Sequence, residues 1–254
     1  MFALERQKII LEVLDREGSV AVSKLSNLLD VTEETVRRDL EKLEKQEFLT
    51  RTHGGAVPIE ASGIELSLER RKHTNPEAKE RLAKEAVSYI APGDTVFLDA
   101  STTTFFMAKA IKKMKNVTVI TNSFRIIEEL SNAENVRVIA IGGLVSNNQS
   151  FVGSVAEDMV ERCYVASKLF FSSKGITADA GILESNEQEC GIKKRMIKNS
   201  TQRIYLCDKS KVGRVGFEKL CGYTELDTII TNADFGDDFK AKFEEHKVKV
   251  IKVK

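Results

Sequence analysis

Asp99, Ser101, Thr102, Thr103 and Thr104 put an acid and four hydroxyls directly behind the apolar stretch 95–98, and Phe105 and Phe106 resume the apolar pattern after them. Where a strand gives way to a helix, the unpaired N–H groups of the first turn and the positive end of its dipole favour an anion, and hydroxyls add donors. Such a junction suits a phosphate, held for chemistry or for sensing. Asp99 itself disfavours a phosphate, so it either accepts bonds from ligand hydroxyls or fixes the loop. The plain alternative for any one hydroxyl is that Ser101 or Thr102 caps the helix. Four hydroxyls in succession tip the balance towards binding. Lys211, in "CDKSKVG", follows another strand end, where an ammonium either complements a phosphate or is simply solvated.

A second set lies in "VTEETVRRDLEKLEKQ". Val36, Leu40 and Leu43 fall at i, i+4 and i+7 and turn inward, which sets Glu34 and Arg38 on the opposite face with Thr35 and Arg37 flanking. Thr32 is a good N-cap, with Glu33 and Glu34 in the first turn. Arginines near the start of such a helix can donate two bonds to guanine O6 and N7 in a major groove, while hydroxyls meet phosphates or base edges. Arg51 and His53, in the following "FLTRTHGGAV", are placed for backbone phosphates. An isolated Arg-Arg pair usually marks only a solvated helix face; the helix and turn before it and the Gly-Gly hairpin after it reverse that preference. The expected DNA-contacting set is Thr32, Glu34, Thr35, Arg37, Arg38, Arg51 and His53. Glu41, Glu44 and Glu47 narrow the footprint, so a monomer should bind weakly and a homodimer or larger assembly reading two half-sites would compensate.

The elements that must carry these residues follow from periodicity. Ile9, Ile10, Val13 and Leu14 mark a first helix stopped by Gly18; Val22, Leu25, Leu28 and Leu29 mark a second; the third opens after Thr32. With the hairpin, this is a small winged helix-turn-helix domain over 1–57. Residues 58–76 lose regular periodicity and read as a linker. From 77 to 254 apolar strands such as "VTVIT", "VRVIAI", "KLFF", "RIYLC" and "DTIIT" alternate with amphipathic helices, which implies a larger, mainly parallel α/β domain with both sheet faces covered. Expected helices include 103–114, 154–162 and 187–199, and expected strands 95–98, 168–172 and 203–207.

Composition excludes more than it assigns. The formal charge is +1, and the first 57 residues carry nine Lys/Arg against eleven Asp/Glu, so DNA binding must rest on placement rather than bulk charge. No apolar run approaches the roughly 18 residues of a membrane helix, and the start of the chain is unlike a signal peptide, so a cytoplasmic protein is expected. Cys163, Cys190, Cys207 and Cys221 are widely spaced and only three histidines accompany them. Four buried thiols, with no metal and no cofactor, are expected.

The run "TVRRDLEKLEKQEFLTRTHGGA" resembles the signature of the DeoR family of bacterial regulators, and "FLDASTTT", "TNS", "IGG", "SFVG", "SNEQECGIKKRMI" and "DKSKVG" follow in that family's order over nearly the whole chain. Two positions depart from the pattern: Ser101 stands where the family usually has Gly, and Glu47 where a Gly often precedes the wing. The resemblance implies a C-terminal sensor domain similar to ribose-phosphate isomerases, glucosamine-phosphate deaminases and CoA transferases, with a phosphorylated sugar as effector and double-stranded operator DNA as partner. It makes Lys211 an effector contact. It also singles out Asn186 and Glu189, which either bind ligand hydroxyls or cap a helix. Gly153 looks like a point of close backbone approach, whereas Gly142 and Gly143 relieve crowding. The related isomerases carry an acidic loop after the strand matching "KLFF"; here "SSKG" supplies no comparable base, with Asp179 and Glu184 still open as candidates. A ligand-responsive regulator, a repressor, is thus expected rather than an enzyme, the alternative being a phosphosugar isomerase with a regulatory N-terminal domain.

Overall fold

Apolar stripes at helical spacing build α1 (Ala3–Glu17), α2 (Val22–Leu29) and α3 (Glu33–Lys45). Ile10, Leu14, Leu25, Val36, Leu40 and Leu43 from these helices meet Leu49 in one buried core. Gly18, at φ +72°, ends α1 in the left-handed region, and Thr32 caps α3 by accepting from Thr35 N at 3.3 Å. Strands β1 (Val20–Ala21), β2 (Thr50–Thr52) and β3 (Gly55–Val57) form an antiparallel sheet in the order β1-β3-β2. Asp39 is buried, accepting from Arg6 Nε at 2.7 Å and Gln7 Nε2 at 3.3 Å, which ties α3 to α1. The computed structural model describes residues 2–46, 48–58, 71 and 74–253. Glu47 and most of the 58–76 segment lie outside them. Contacts divide the chain into two units, Met1–Thr74 and Asn75–Lys254.

In the second unit α4 (Pro76–Val87), β4 (Thr95–Leu98), α5 (Thr102–Ile111), β5 (Val117–Thr121), α6 (Phe124–Leu130) and β6 (Val136–Ala140) come first. A short hairpin, β7 (Leu144–Val145) and β8 (Phe151–Val152), leads into α7 (Ser154–Cys163) and β9 (Ala166–Phe171). After β10 (Gly175–Thr177) and β11 (Gly181–Glu184) come α8 (Glu187–Lys198), β12 (Ser200–Cys207), β13 (Glu218–Cys221), β14 (Thr228–Thr231), α9 (Asp237–Glu245) and β15 (Lys249–Lys252). Seven of these strands form a sheet in the order β15-β14-β12-β9-β4-β5-β6, every neighbouring pair parallel.

Alternate residues along each strand face opposite ways, and both faces are apolar. Phe97, Leu169, Phe171 and Tyr205 pack on one side with Val160, Met196 and Phe239 of the helices; Val96, Leu98, Phe170 and Ile204 pack on the other with Leu82, Met107 and Ile126. The chain runs from β4 to β5 and β6 in one direction, then returns to the far side of β4 with β9 and continues to β15. The strand order therefore reverses between β4 and β9, and a crevice outside the carboxyl ends of strands at such a reversal is where open α/β sheets bind ligands.

Several elements depart from those the sequence predicts. Strands β9 and β12 begin at Ala166 and Ser200, earlier than expected, because Ser167 and Lys168 of β9 and the polar start of β12, Ser200 to Arg203, are not fully buried and interrupt the apolar run. The hairpin β7–β8 and the antiparallel sheet β10-β11-β13 were not expected; their strands, of two to four residues, are too short to show a period. Cys163 is exposed rather than buried, being the last residue of α7, while Cys190, Cys207 and Cys221 are buried thiols. Gly143 does relieve crowding, since a Cβ would lie 2.7 Å from Val152 O, but Gly142 has nothing within 4 Å.

A Cβ on Gly55 would sit 1.8 Å from Val20 O, whereas one on Gly54 would meet nothing within 4 Å. Gly55→Ala should therefore cost about 3 kcal/mol or more by forcing β1 from β3, and Gly54→Ala less than about 1 kcal/mol. Urea unfolding of the two full-length variants checks the contrast; equal midpoints would contradict it.

Candidate functional site

The residues Asp99–Thr104 turn from the end of β4 into α5, and the structure divides their labour. Ser101 is the N-cap of α5 at φ −79°, a conformation open to any L-residue, and its hydroxyl accepts from Thr104 N at 3.3 Å. Thr104, fully buried, donates inward to Asp99, 2.7 Å from its backbone oxygen and 2.9 Å from Oδ1. Asp99 is also fully buried; its Oδ1 accepts from Ser101 N at 3.2 Å, and its Oδ2 accepts from Ser172 N, just beyond β9, at 3.1 Å. Asp99, Ser101 and Thr104 thus fix the loop across the strand reversal. Thr102 and Thr103 are left over. Their N–H groups lie in the first turn of α5, beyond reach of intrahelical acceptors, and the buried Thr103 Oγ1 meets no partner.

The loop depends on a residue the sequence reading passed over. Lys193 of α8 is buried, with Nζ 2.9 Å from Asp99 Oδ2, 2.6 Å from Glu184 Oε2 and 2.9 Å from Ser172 O. Burial pulls its pKa down, but Asp99, Glu184 and Glu189 outweigh that and hold it above the ordinary lysine value. One signal was available: 189, 193 and 196 share a helix face, and a lysine on a face otherwise turned inward implies a buried counter-charge. Among the described residues no group of three or more His, Cys, Asp or Glu is placed to hold a metal ion.

Asn186 caps α8, accepting from Glu189 N at 2.9 Å. Glu189 is buried in the first turn of α8, and its Oε1 accepts from Ser150 Oγ at 2.5 Å and Ser146 Oγ at 3.3 Å. Burial raises its pKa above the ordinary glutamate value, opposed by Lys193 and Ser150 and helped by Glu184 and Asp99. Glu184 therefore belongs to this cluster through Lys193. Gly153 is the N-cap of α7 at φ +87°, a left-handed conformation that favours glycine. Lys211 follows β12, and its Nζ donates to Ser173 O at the end of β9. Nearby Asp208 is buried; desolvation opposes its ionisation, yet Lys211, Ser210 and Lys79 hold its pKa below the ordinary value. The carboxyl ends of β4, β9 and β12 thus gather free donors at Thr102 and Thr103, a lysine at 211, and a locked acid–lysine pair beneath.

In the first unit α3 presents Glu34, Arg37 and Arg38 outward, their side chains 64%, 54% and 74% exposed, opposite the buried Val36, Leu40 and Leu43. Arg37 pairs with Glu33 at 2.7 Å and Arg38 with Glu34 at 3.4 Å, one turn back on the same helix. Thr32 and Thr35 lie at the exposed start of the helix, their hydroxyls 3.0 Å apart. Arg51 on β2 is held by Glu44, which accepts from its N and its Nε at 2.9 Å each, and His53 is exposed in the turn. An exposed i,i+4 pair is worth only about 0.3–0.5 kcal/mol, against about 1–3 kcal/mol for a bidentate arginine–guanine contact. The acids orient the arginines without retaining them.

Family models match both parts of the chain: the DeoR-like helix-turn-helix domain over residues 6–62 and the DeoR C terminal sensor domain over 74–233. The chain is 42% identical, over its whole length and 98% of the relative's, to the uncharacterized HTH-type transcriptional regulator YulB of Bacillus subtilis. It is 31% identical over 97% of its length and 98% of the relative's to the L-fucose operon activator of Haemophilus influenzae. It is 34% identical over 98% and 93% to the putative aga operon transcriptional repressor of Escherichia coli O157:H7. A solved D-ribose-5-phosphate isomerase in complex with phospho-erythronic acid is similar over 54% of each chain, at 12% identity and a TM-score of 0.41, a likeness too slight to argue from. The chain belongs to the DeoR family of helix-turn-helix transcriptional regulators.

Proposed function

We propose that this regulator represses a sugar-catabolic operon and is controlled by a phosphorylated sugar bound at the carboxyl ends of β4, β9 and β12. The observation that carries the reading is the first turn of α5: an unpartnered Thr103 hydroxyl, beside N–H groups of Thr102 and Thr103 that have no intrahelical acceptor, set where the strand order reverses. In this reading Thr102 and Thr103 hold the phosphate, Lys211 complements its charge, and Asp99, Ser101 and Thr104 keep the loop in shape. Glu189, Asn186 and Gly153 line the sugar side. The relative named for an L-fucose operon supports sugar metabolism as the regulated process, and the one named a repressor of an aga operon supports repression. Thr32, Glu34, Thr35, Arg37, Arg38, Arg51 and His53 form the operator-reading surface, used in pairs by a homodimer or larger assembly. The ligand changes operator affinity only by binding two arrangements of the protein unequally, and a coupling of about 1–3 kcal/mol alters that affinity roughly 5–150-fold.

Sensing is favoured over turnover because two of the three clustered carboxylates are ion-paired with Lys193. Asp99 is bonded to its own loop and to Lys193, and Glu184 to Lys193 and Ser185. Glu189, with its raised pKa, is the one group that suits a general acid, so turnover is the direct discriminator: concentrated protein incubated with ribose 5-phosphate or hexosamine phosphates should yield no product.

Fluorescence anisotropy on DNA upstream of the regulated operon should show Arg37→Ala and Arg38→Ala each weakening specific binding by about tenfold or more; unchanged binding in the double variant would refute the operator surface. Thr103→Val has an opposite pair of effects. Deleting an unpartnered buried hydroxyl should stabilise the free protein by about 1 kcal/mol, while calorimetric affinity for the effector phosphosugar should fall about tenfold, as it should in Lys211→Ala. Undiminished affinity in both variants would move the phosphate elsewhere.

A further inference from the structure

Thr103 Oγ1 has a counterpart on the next strand. Asn122 follows β5 with 1% of its surface exposed, and its Oδ1 meets no partner. The amide is oriented by its other end: Nδ2 donates to Phe151 O at 3.0 Å, and the Asn122 backbone oxygen accepts from Phe151 N at 2.8 Å. Turning the amide over would set oxygen against oxygen, so the acceptor faces away from that carbonyl. An amide oxygen has no proton to give and carries partial negative charge. It takes a hydroxyl or an ammonium and rejects a phosphate.

Its position ties it to the anion cradle. Leu98 pairs with Thr121 across β4 and β5, so the next residues, Asp99 and Asn122, leave the sheet from the carboxyl ends of adjoining strands. Ser123 pairs with Ser150 in an isolated bridge, and Ser150 carries the bond to Glu189. One end of the sheet therefore offers donors at Thr102 and Thr103 and, on the adjoining strand, an acceptor with nothing to accept. A molecule that satisfies both has an anionic group with a hydroxyl close to it.

We propose that Asn122 is a specificity-determining residue of the effector site, reading through Oδ1 a hydroxyl of the ligand near its phosphate. The inference rests on the sugar-phosphate reading above and supplies the half that a phosphate cradle leaves open: it makes the ligand a polyhydroxylated phosphate and gives inorganic phosphate a low affinity. A side chain that only fastened β8 would weaken all ligands alike; one that reads a hydroxyl removes a difference between ligands.

The test is calorimetry on the full chain with inorganic phosphate, a panel of pentose and hexose phosphates, and the singly deoxygenated analogues of whichever binds. The wild-type protein should bind one sugar phosphate about tenfold or more tighter than inorganic phosphate and lose that margin for one deoxy analogue. In Asn122→Ala, inorganic phosphate should bind within about threefold of wild type, and parent and deoxy sugar should bind equally. If Asn122→Ala weakens phosphate, parent and deoxy analogue by the same factor, Asn122 only supports β8 and the proposal fails. If the wild type binds inorganic phosphate and sugar phosphates alike, the hydroxyl reading fails while the anion site stands. Binding of neither overturns both.

Discussion

The contact on which the sensor unit depends is the ammonium of Lys193 among buried carboxylates. It reaches Asp99 and Glu184 within 2.9 Å and donates to the carbonyl of Ser172, so the ends of β4 and β9, the end of β11 and the middle of α8 meet at one atom. Removing one partner from such a buried set leaves uncompensated charge and costs about 3–5 kcal/mol. The arrangement is therefore less a source of net stability than a constraint on geometry: these elements can bring their charges out of water only together. Asp99 is fixed by it, and through Asp99 the Thr104 hydroxyl, the Ser101 cap and the first turn of α5.

That constraint explains why a run of four hydroxyls does not act as four equivalent donors. A loop that must hold an anion needs part of its polar inventory to hold itself, since backbone groups near a strand end lose their ladder partners. Ser101 and Thr104 meet that need, and Thr102 and Thr103 are released from it. Serine in place of glycine at 101 fits the same account, because the backbone there is extended and the added hydroxyl has a bond to make.

Much of this was legible in the sequence, for a physical reason. Long elements with a buried face announce themselves by period, as Val36, Leu40 and Leu43 do for the recognition helix, and as the apolar strands do for a parallel sheet covered on both sides. The strand–hydroxyl–helix junction at 95–106 was visible in the same way. What escaped had a weak local signal or none. The hairpin 144–152 and the sheet β10-β11-β13 are built from strands of two to four residues that are defined by their partners. Lys193 reads as an ordinary helix charge and Glu184 as one of two open candidate acids, because the pairing that buries them runs across the fold. Asn122 drew notice only as part of "TNS"; its importance lies in a bond it does not make.

The charges of the cluster bear on what it can accept. Asp99, Glu184 and Glu189 face a single buried ammonium, and burial favours the protonated form of Glu189, whose shift Lys193 and Ser150 oppose. Any proton that Glu189 takes up lowers the negative charge of the cluster. By the same linkage, the stabilising effect of that raised pKa is fully present below the unfolded-state glutamate value and lost as pH rises through the folded one. An anion adding its charge nearby favours the protonated form further, so binding and protonation of Glu189 assist each other. In the proposed site the donors of the first turn of α5 and the ammonium of Lys211 then act against a smaller opposing field, and Asn122 Oδ1, which meets no partner, is left to distinguish one hydroxylated phosphate from another.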